Sequence, residues 1–460
     1  MHRLAFTPAP SALAGGLPFG GLLGAWVLGA SLVAGCAGER AVLVDVEGTG
    51  GSDRLCLVAS DGARVLFSRA YGDDVLGAPT GGTLTFVAGN EVDSSLIVTA
   101  RALRAGAVVG TATDTATFGD AGTVTLPLVV SRCHQRTVRA ATIVARDIVL
   151  IEAVGAGASL AAVDVDGDGR DEALVLGVGG TLVTVDVENA RAVARAATGA
   201  GGRVASFGDL DGDCSLDPVV VAADGVRVLH DAGGAVVVDP AVDGTAGAVD
   251  AALGAAAGGP RIAVCGPGGV SLVAARGAAA AISLTAEASR AVVAADLTGD
   301  RRSEVIAASP TGARVWIGSD AGFIPAPDAL PPSFVGVTDL LTVLDGNGDG
   351  VLDLAGGGAG GVFLALNRGD GVLEDHTGTG SPTVLPIALV ALDLDGDCRD
   401  ELAALGADGT LTIYTTSGTI VPRAETFAGI AVIAAGDVDG DGARELLVLG
   451  TDGRLRVVGP

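Results

Sequence analysis

One nine-residue acidic pattern recurs six times between Asp164 and Glu445. The copies read DVDGDGRDE from Asp164 (loop 1), DLDGDCSLD from Asp209 (loop 2), DLTGDRRSE from Asp296 (loop 3), DGNGDGVLD from Asp345 (loop 4), DLDGDCRDE from Asp393 (loop 5) and DVDGDGARE from Asp437 (loop 6). Each puts side-chain oxygens at positions 1, 3 and 5 and an acid at position 9, around a tight turn. Alternating oxygens on such a turn form the donor set of a hard cation such as Ca²⁺. Carboxylates this close repel strongly unless a cation sits among them. The competing reading is a set of solvated acidic hairpins without metal.

The elements that carry these loops follow from their spacing. Successive first aspartates lie 45, 87, 49, 48 and 44 residues apart. The long gap holds a degenerate copy near Asp250, where the acids are lost but the apolar run Arg261–Cys265 survives. Seven units of about 45 residues result, the length of four short strands with turns, or one propeller blade. A short apolar strand enters each loop. A continuous apolar strand leaves it, as in Ala173–Leu176 and Leu446–Leu449, which requires cover on both faces. Hairpin turns such as Ala223–Gly225 and Thr451–Gly453 follow. The chain ends within the seventh unit, so the strand-like stretch Val138–Ile151 is expected to complete that blade and close the ring.

Residues 36–137 lack the acidic repeat. Short strands at Ala41–Val46, Leu55–Ala59, Val65–Ser68, Thr83–Val87, Ser95–Arg101, Ala107–Ala112 and Thr123–Val130 suggest an immunoglobulin-like β-sandwich. The expected organisation is therefore all-β: residues 1–35 a leader, 36–137 a small sandwich, and 138–460 a seven-bladed propeller with one degenerate blade. The leader has an apolar stretch, Phe19–Ala34, too short for a comfortable membrane span. It ends in Leu32-Val33-Ala34-Gly35-Cys36, which resembles the lipobox of bacterial lipoproteins. That resemblance implies lipidation at Cys36 and, with Ala37 next, an outer-membrane address. A plain secretory signal with a chance cysteine is the alternative. In an exported chain, Cys56 and Cys133 bracket the N-terminal region and are expected to pair. Among Cys214, Cys265 and Cys398 no bond is assigned.

The loop begins like an EF-hand, but position 12 is Val175, Val220, Ala307, Gly356, Ala404 or Val448, none able to ligate. The acid stands at position 9 and a strand follows. Residues 159–460 resemble the FG-GAP (VCBS-type) repeats of integrin alpha-subunit propellers and of many bacterial surface proteins. SFGDLDGDCSLDPVVVAADGVRVL from Ser206 carries the Phe-Gly, the acidic loop and the apolar strand in the family's order. The resemblance implies a seven-bladed propeller with structural Ca²⁺ in up to six loops, each between the first two strands of a blade.

Carried over position by position, the ligands are Asp164, Asp166, Asp168, the Arg170 carbonyl and Glu172 in loop 1, with Asp171 as a substitute. In loop 2 they are Asp209, Asp211, Asp213, Ser215 and Asp217, and in loop 3 Asp296, Thr298, Asp300, Arg302 and Glu304. Loop 4 supplies Asp345, Asn347, Asp349, the Val351 carbonyl and Asp353. Loop 5 supplies Asp393, Asp395, Asp397, Arg399 and Glu401, and loop 6 Asp437, Asp439, Asp441, Ala443 and Glu445. Loop 3, with three acids, reads as the weakest. A position-9 Glu adds a methylene, which would loosen a site. Cys214, Arg301 and Cys398 stand where other loops have glycine, so a positive φ there costs about 1 kcal/mol.

Net charge is −26, with 54 acidic residues against 28 basic ones. Such a surface repels nucleic acid and anionic lipid. No nucleophile elbow, phosphate-cradling loop or zinc spacing is present, and the four histidines show no pattern and read as solvated. Paired carboxylates all lie inside the loops, and aromatics are only 3% of the chain, which leaves little for a sugar-binding groove. Trp316 reads as a core residue. The expected function is a non-enzymatic, calcium-binding envelope lipoprotein, an adhesion or scaffold propeller with a protein or envelope partner. The alternative is a lyase or hydrolase acting on polysaccharide.

Overall fold

The computed structural model describes residues 6–7, 41–47, 54–60, 65–72, 82–87, 95–104, 107–117, 123–129 and 144–150. From 159 onward it describes the chain except 165–169, 198–201, 212, 232–235, 257–258, 276–279, 301, 320–321, 378–384, 396, 417–420, 440–443 and 460. Cys36, Cys133, Asp166, Asp168, Asp441 and Ala443 therefore lie outside the described residues.

Seven four-stranded antiparallel sheets follow one another along the chain. The first comprises Ser159–Val163, Glu172–Leu176, Thr181–Asp186 and Arg191–Ala197, joined in sequence order. Five more repeat this plan, beginning at Gly202, Asp250, Ala291, Leu340 and Pro386. The seventh joins Ile430–Gly436, Glu445–Gly450 and Arg454–Gly459 to Val144–Leu150, a strand from before the first sheet. First strands of neighbouring sheets touch all the way round, and Ser159–Val163 touches Ile430–Gly436. The result is a closed β-propeller ring, in which each sheet's only free edges are those of single short strands.

One apolar cluster fills each gap between neighbouring sheets. Leu174, Leu176 and Val220 belong to the gap between the first and second sheets. Ala173, Val175, Leu447 and Leu449 belong to the gap between the seventh and the first. Alternate residues of one second strand thus serve two different gaps, which explains why these strands are largely apolar after the acid that opens them. Glu304–Ser309, Asp353–Gly358 and Glu401–Gly406 are buried at every residue. Trp316, 4% exposed, packs with Val292, Val305 and Cys265 between the third and fourth sheets.

The third sheet carries no acidic loop. Its first two strands, Asp250–Ala256 and Gly259–Gly266, are separated by two residues. Asp250 is instead a buried tie. Its carboxylate accepts the Val292 N–H of the fourth sheet at 3.0 Å and pairs with Arg203 of the second.

The N-terminal region forms two four-stranded sheets. One orders Phe6–Thr7, Gly82–Val87, Ala41–Glu47 and Thr123–Val129, the last pair parallel. The other orders Val65–Gly72, Arg54–Ser60, Ser95–Arg104 and Ala107–Thr117. Cys56 does not pair with Cys133. It is bonded to Cys214 of loop 2, 158 residues away. Docking of the second N-terminal sheet on the ring makes this bridge possible: Val58 and Leu103 pack with Cys56 and Cys214 in one buried cluster. Cys398 is disulfide-bonded too, and Cys265 is a buried free thiol.

Candidate metal loops

Each acidic loop joins the first and second strands of its sheet, so the loops share one face of the ring. Local hydrogen bonds fold them alike. In loop 4, the position-1 carboxylate of Asp345 accepts N–H groups from Gly348, Asp349 and Gly350 at 2.8, 3.1 and 2.8 Å. In loop 5, Asp393 accepts from Asp397 and Cys398 at 3.1 and 2.9 Å. The position-5 carboxylate accepts the position-7 N–H in four loops: Asp213 from Ser215, Asp300 from Arg302, Asp349 from Val351 and Asp397 from Arg399. Side chains that bond their own backbone two residues on are why Asp and Asn dominate here.

Position 9 closes the loop by accepting the N–H of position 2. Asp217 takes Leu210 at 2.8 Å, Glu304 takes Leu297 at 2.7 Å and Asp353 takes Gly346 at 2.9 Å. Glu401 takes Leu394 at 2.9 Å and Glu445 takes Val438 at 3.1 Å. Asp and Glu make the same contact, so the extra methylene of Glu does not loosen the closure. Four of these acids are buried, Asp353 at 0% and Glu304 at 1% exposed, and Glu445 is half-buried. Burial pushes the Asp217 carboxyl up to about 6, and those of Glu304 and Asp353 up to about 7. A cation beside them would reverse that push.

Position 6 needs a left-handed backbone. Gly350 has φ 80°, and Cys214 and Cys398 adopt φ 73° and 69°. Both cysteines are disulfide-bonded, so their strained turns also carry cross-links.

Three loops bring acid oxygens within 4.8 Å of one another: Asp209, Asp211 and Asp213 in loop 2; Asp393, Asp395 and Glu401 in loop 5; Asp437, Asp439 and Glu445 in loop 6. Among the described residues, the acids of loops 3 and 4 do not gather so closely. In loop 3 the Thr298 hydroxyl donates to Glu304 at 3.4 Å and Arg302 stands 4.0 Å from Asp300. In loop 4 Asn347 contributes its amide, and the second oxygen of Asp353 accepts the Asn367 N–H at 2.7 Å. The triples of loops 5 and 6 are all oxygen, the donor chemistry of Ca²⁺ rather than of a soft metal.

Asp171, read as a substitute ligand, is engaged by the loop of a neighbouring sheet. Its carboxylate accepts the Asp437 N–H at 2.9 Å, while its own N–H donates to the Asp437 carbonyl at 2.7 Å. Asp400 holds Asp345 in the same way, at 2.7 and 2.8 Å. Position 8 thus ties one loop to the loop of the preceding sheet. Burial raises the carboxyl pKa of both.

The histidines are not all solvated. His230 is 8% exposed, with Nδ1 2.9 Å from Asp217 and Nε2 2.7 Å from Asp239. Burial opposes its charge, yet the Asp239 and Asp217 carboxylates outweigh this and raise its pKa. Arg101, Arg54 and Ser68 also touch the loops, from the N-terminal sheet. Arg101 pairs with Asp164 and donates to the Cys214 carbonyl at 3.0 Å. Arg54 lies 3.3 Å from Asp209, and Ser68 donates to the Asp213 carbonyl at 2.8 Å. The signal for Arg101 is a charge set amid the apolar strand SLIVTARALR.

Residues 345–404 and 393–448, which hold loops 4 to 6 and the strands that follow them, match the family model of the FG-GAP-like repeat. No curated protein matches the chain. Similar solved structures include virginiamycin B lyase from Staphylococcus aureus, at 9% identity and TM-score 0.49, covering 69% of this chain and 100% of that one. BBS1N in complex with ARL6DN is similar at 12% identity and TM-score 0.43, covering 69% and 95%. An Agrocybe aegerita lectin that recognises non-reducing terminal N-acetylglucosamine is similar at 18% identity and TM-score 0.42, covering 61% and 83%.

Proposed function

We propose that this FG-GAP-repeat propeller is a calcium-stabilised envelope protein that binds a protein partner and performs no catalysis. The observation that carries the reading is the oxygen-only convergence at Asp393, Asp395 and Glu401 and at Asp437, Asp439 and Glu445. Asp397 and the Arg399 carbonyl, and Asp441 and the Ala443 carbonyl, would complete those two shells. Calcium bound there would offset the mutual repulsion of the carboxylates and fix the turn between two strands, stabilising the folded ring by mass action. The position-5 acids of four loops and the position-9 acids of five hold their own turns, which supports a structural role over acid–base work. The LVAGC leader supports export and lipid anchoring at Cys36.

Calorimetric titration with Ca²⁺, joined to metal analysis of the purified chain, tests this. Bound calcium, a melting temperature lowered by chelator and its recovery with Ca²⁺ but not Mg²⁺ are expected, since Mg²⁺ demands a rigid octahedron. A metal-free protein whose melting ignores both chelator and calcium would refute the reading.

A further inference from the structure

Loops 1 and 2 meet the N-terminal sheet in a way that bears on their charge. Arg101 is 2% exposed and Asp164, its partner at position 1 of loop 1, is 5% exposed. The guanidinium reaches the Asp164 carboxylate and lies 3.5 Å from the Asp164 carbonyl, while its other amino group bonds the Cys214 carbonyl. One buried cation therefore bridges the loops of two neighbouring sheets. A buried guanidinium is stable only with an ionised partner and filled hydrogen bonds. Asp164 and the two carbonyls meet that need. In loop 2, Arg54 adds a second positive group at Asp209, and the Cys56–Cys214 bond fixes the contact covalently.

We propose that Arg101 is the resident cation of loop 1. Its guanidinium neutralises Asp164 in place of a divalent ion, so loop 1 docks the N-terminal sheet and does not hold calcium. The physical ground is competition. A fixed guanidinium and Ca²⁺ would have to share one buried carboxylate, and like charges that close repel. Calcium also needs six to eight oxygens around it, whereas an oxygen of the position-1 carboxylate already faces a nitrogen donor.

The stoichiometric part rests on the reading that the open loops take calcium; the docking part does not. The test uses the intact mature chain. Bound calcium is counted by metal analysis after dialysis for wild type, Asp164→Asn and Asp437→Asn. Asp437→Asn is expected to lose one ion per chain and Asp164→Asn none. Loss of one ion from Asp164→Asn overturns the proposal. If wild type binds no calcium, the proposed function fails but the docking claim is still decided by a double-mutant cycle in EDTA. Arg101→Met and Asp164→Asn should each lower the melting temperature by roughly 5 °C or more, and the pair by clearly less than the sum. Additive losses overturn it. If Arg101→Met does not fold, Asp164→Asn with and without Arg101→Lys supplies the same comparison.

Discussion

Loop 1 and loop 5 share seven of nine residues, DVDGDGRDE against DLDGDCRDE. Their surroundings differ. Asp164 faces the buried guanidinium of Arg101, whereas Asp393 accepts its own loop's N–H groups and gathers with Asp395 and Glu401. The same acidic turn thus meets a protein-supplied cation at one place and an all-oxygen cluster at another. The nine residues encode a charge problem and leave its solution to what packs against them.

Removing calcium should break the comparison most visibly. A site saturated a hundredfold above its dissociation constant contributes about 2.7 kcal/mol, so emptying several lowers the melting temperature by roughly 10 °C. Hydrogen exchange should then quicken in Glu401–Gly406 and Glu445–Gly450 while Glu172–Leu176, beside the Arg101 tie, stays protected. Uniform acceleration around the ring would show that the loops do not differ.

Next in size is the covalent tie. Replacing Cys56 and Cys214 together by alanine should cost about 2–5 kcal/mol, by the same amount with and without chelator. A non-reduced digest should yield a Cys56–Cys214 peptide. Finding Cys56 joined to any other cysteine ends this account of docking.

The position-8 ties come third. Asp171→Ala and Asp400→Ala each leave a backbone N–H of the neighbouring loop without its acceptor, at about 1–3 kcal/mol. Both ties sit between sheets, so both losses should appear whatever fills the loops. A variant as stable as wild type would remove position 8 from the inter-sheet contacts.

Acidity offers a further test at loops 2, 3 and 4. The buried carboxyls of Asp217, Glu304 and Asp353 stand near 6 to 7 when no cation is beside them, above unfolded values of about 4. The native state then binds protons more tightly than the unfolded one, so stability falls as pH rises from about 4 to 7. Metal-free protein should melt higher at pH 5.5 than at pH 8. With calcium the carboxylates are held ionised and the slope should invert. Equal slopes in thermal melts with and without calcium would contradict a metal role for these groups.

Much of this architecture is legible in the sequence because it is periodic. Second strands such as Glu401–Gly406 are apolar at every position after the opening acid since each serves two inter-sheet cores, and the loops recur at the blade period. The lost loop shows as missing acids after Asp250. What stays silent is contact between distant segments. Cys56 offers no hint of Cys214, because pairing depends on how the N-terminal sheet lies on the ring. Position 8 reads Asp, Leu, Ser, Leu, Asp, Arg along the six loops, and nothing local says that its two aspartates reach the preceding sheet. His230 looks like any strand-end histidine until Asp217 and Asp239 close on both ring nitrogens.

The third sheet, which has no loop, supplies the finest probe. Cys265 lies 2% exposed in the cluster with Trp316, Val292 and Leu272, and burial pushes its thiol pKa up. A thiol reacts as its thiolate, so Cys265 should resist alkylation in the native chain and react fully only on unfolding. Chelator should leave its labelling rate unchanged, because no acidic loop borders this sheet's first turn and Asp250 ties it to both neighbours without metal. Labelling that accelerates tenfold in EDTA would mean that the ring opens as a unit. Calcium at loops 5 and 6 would then be holding sheets it does not touch, and the local character assigned to each loop would be wrong.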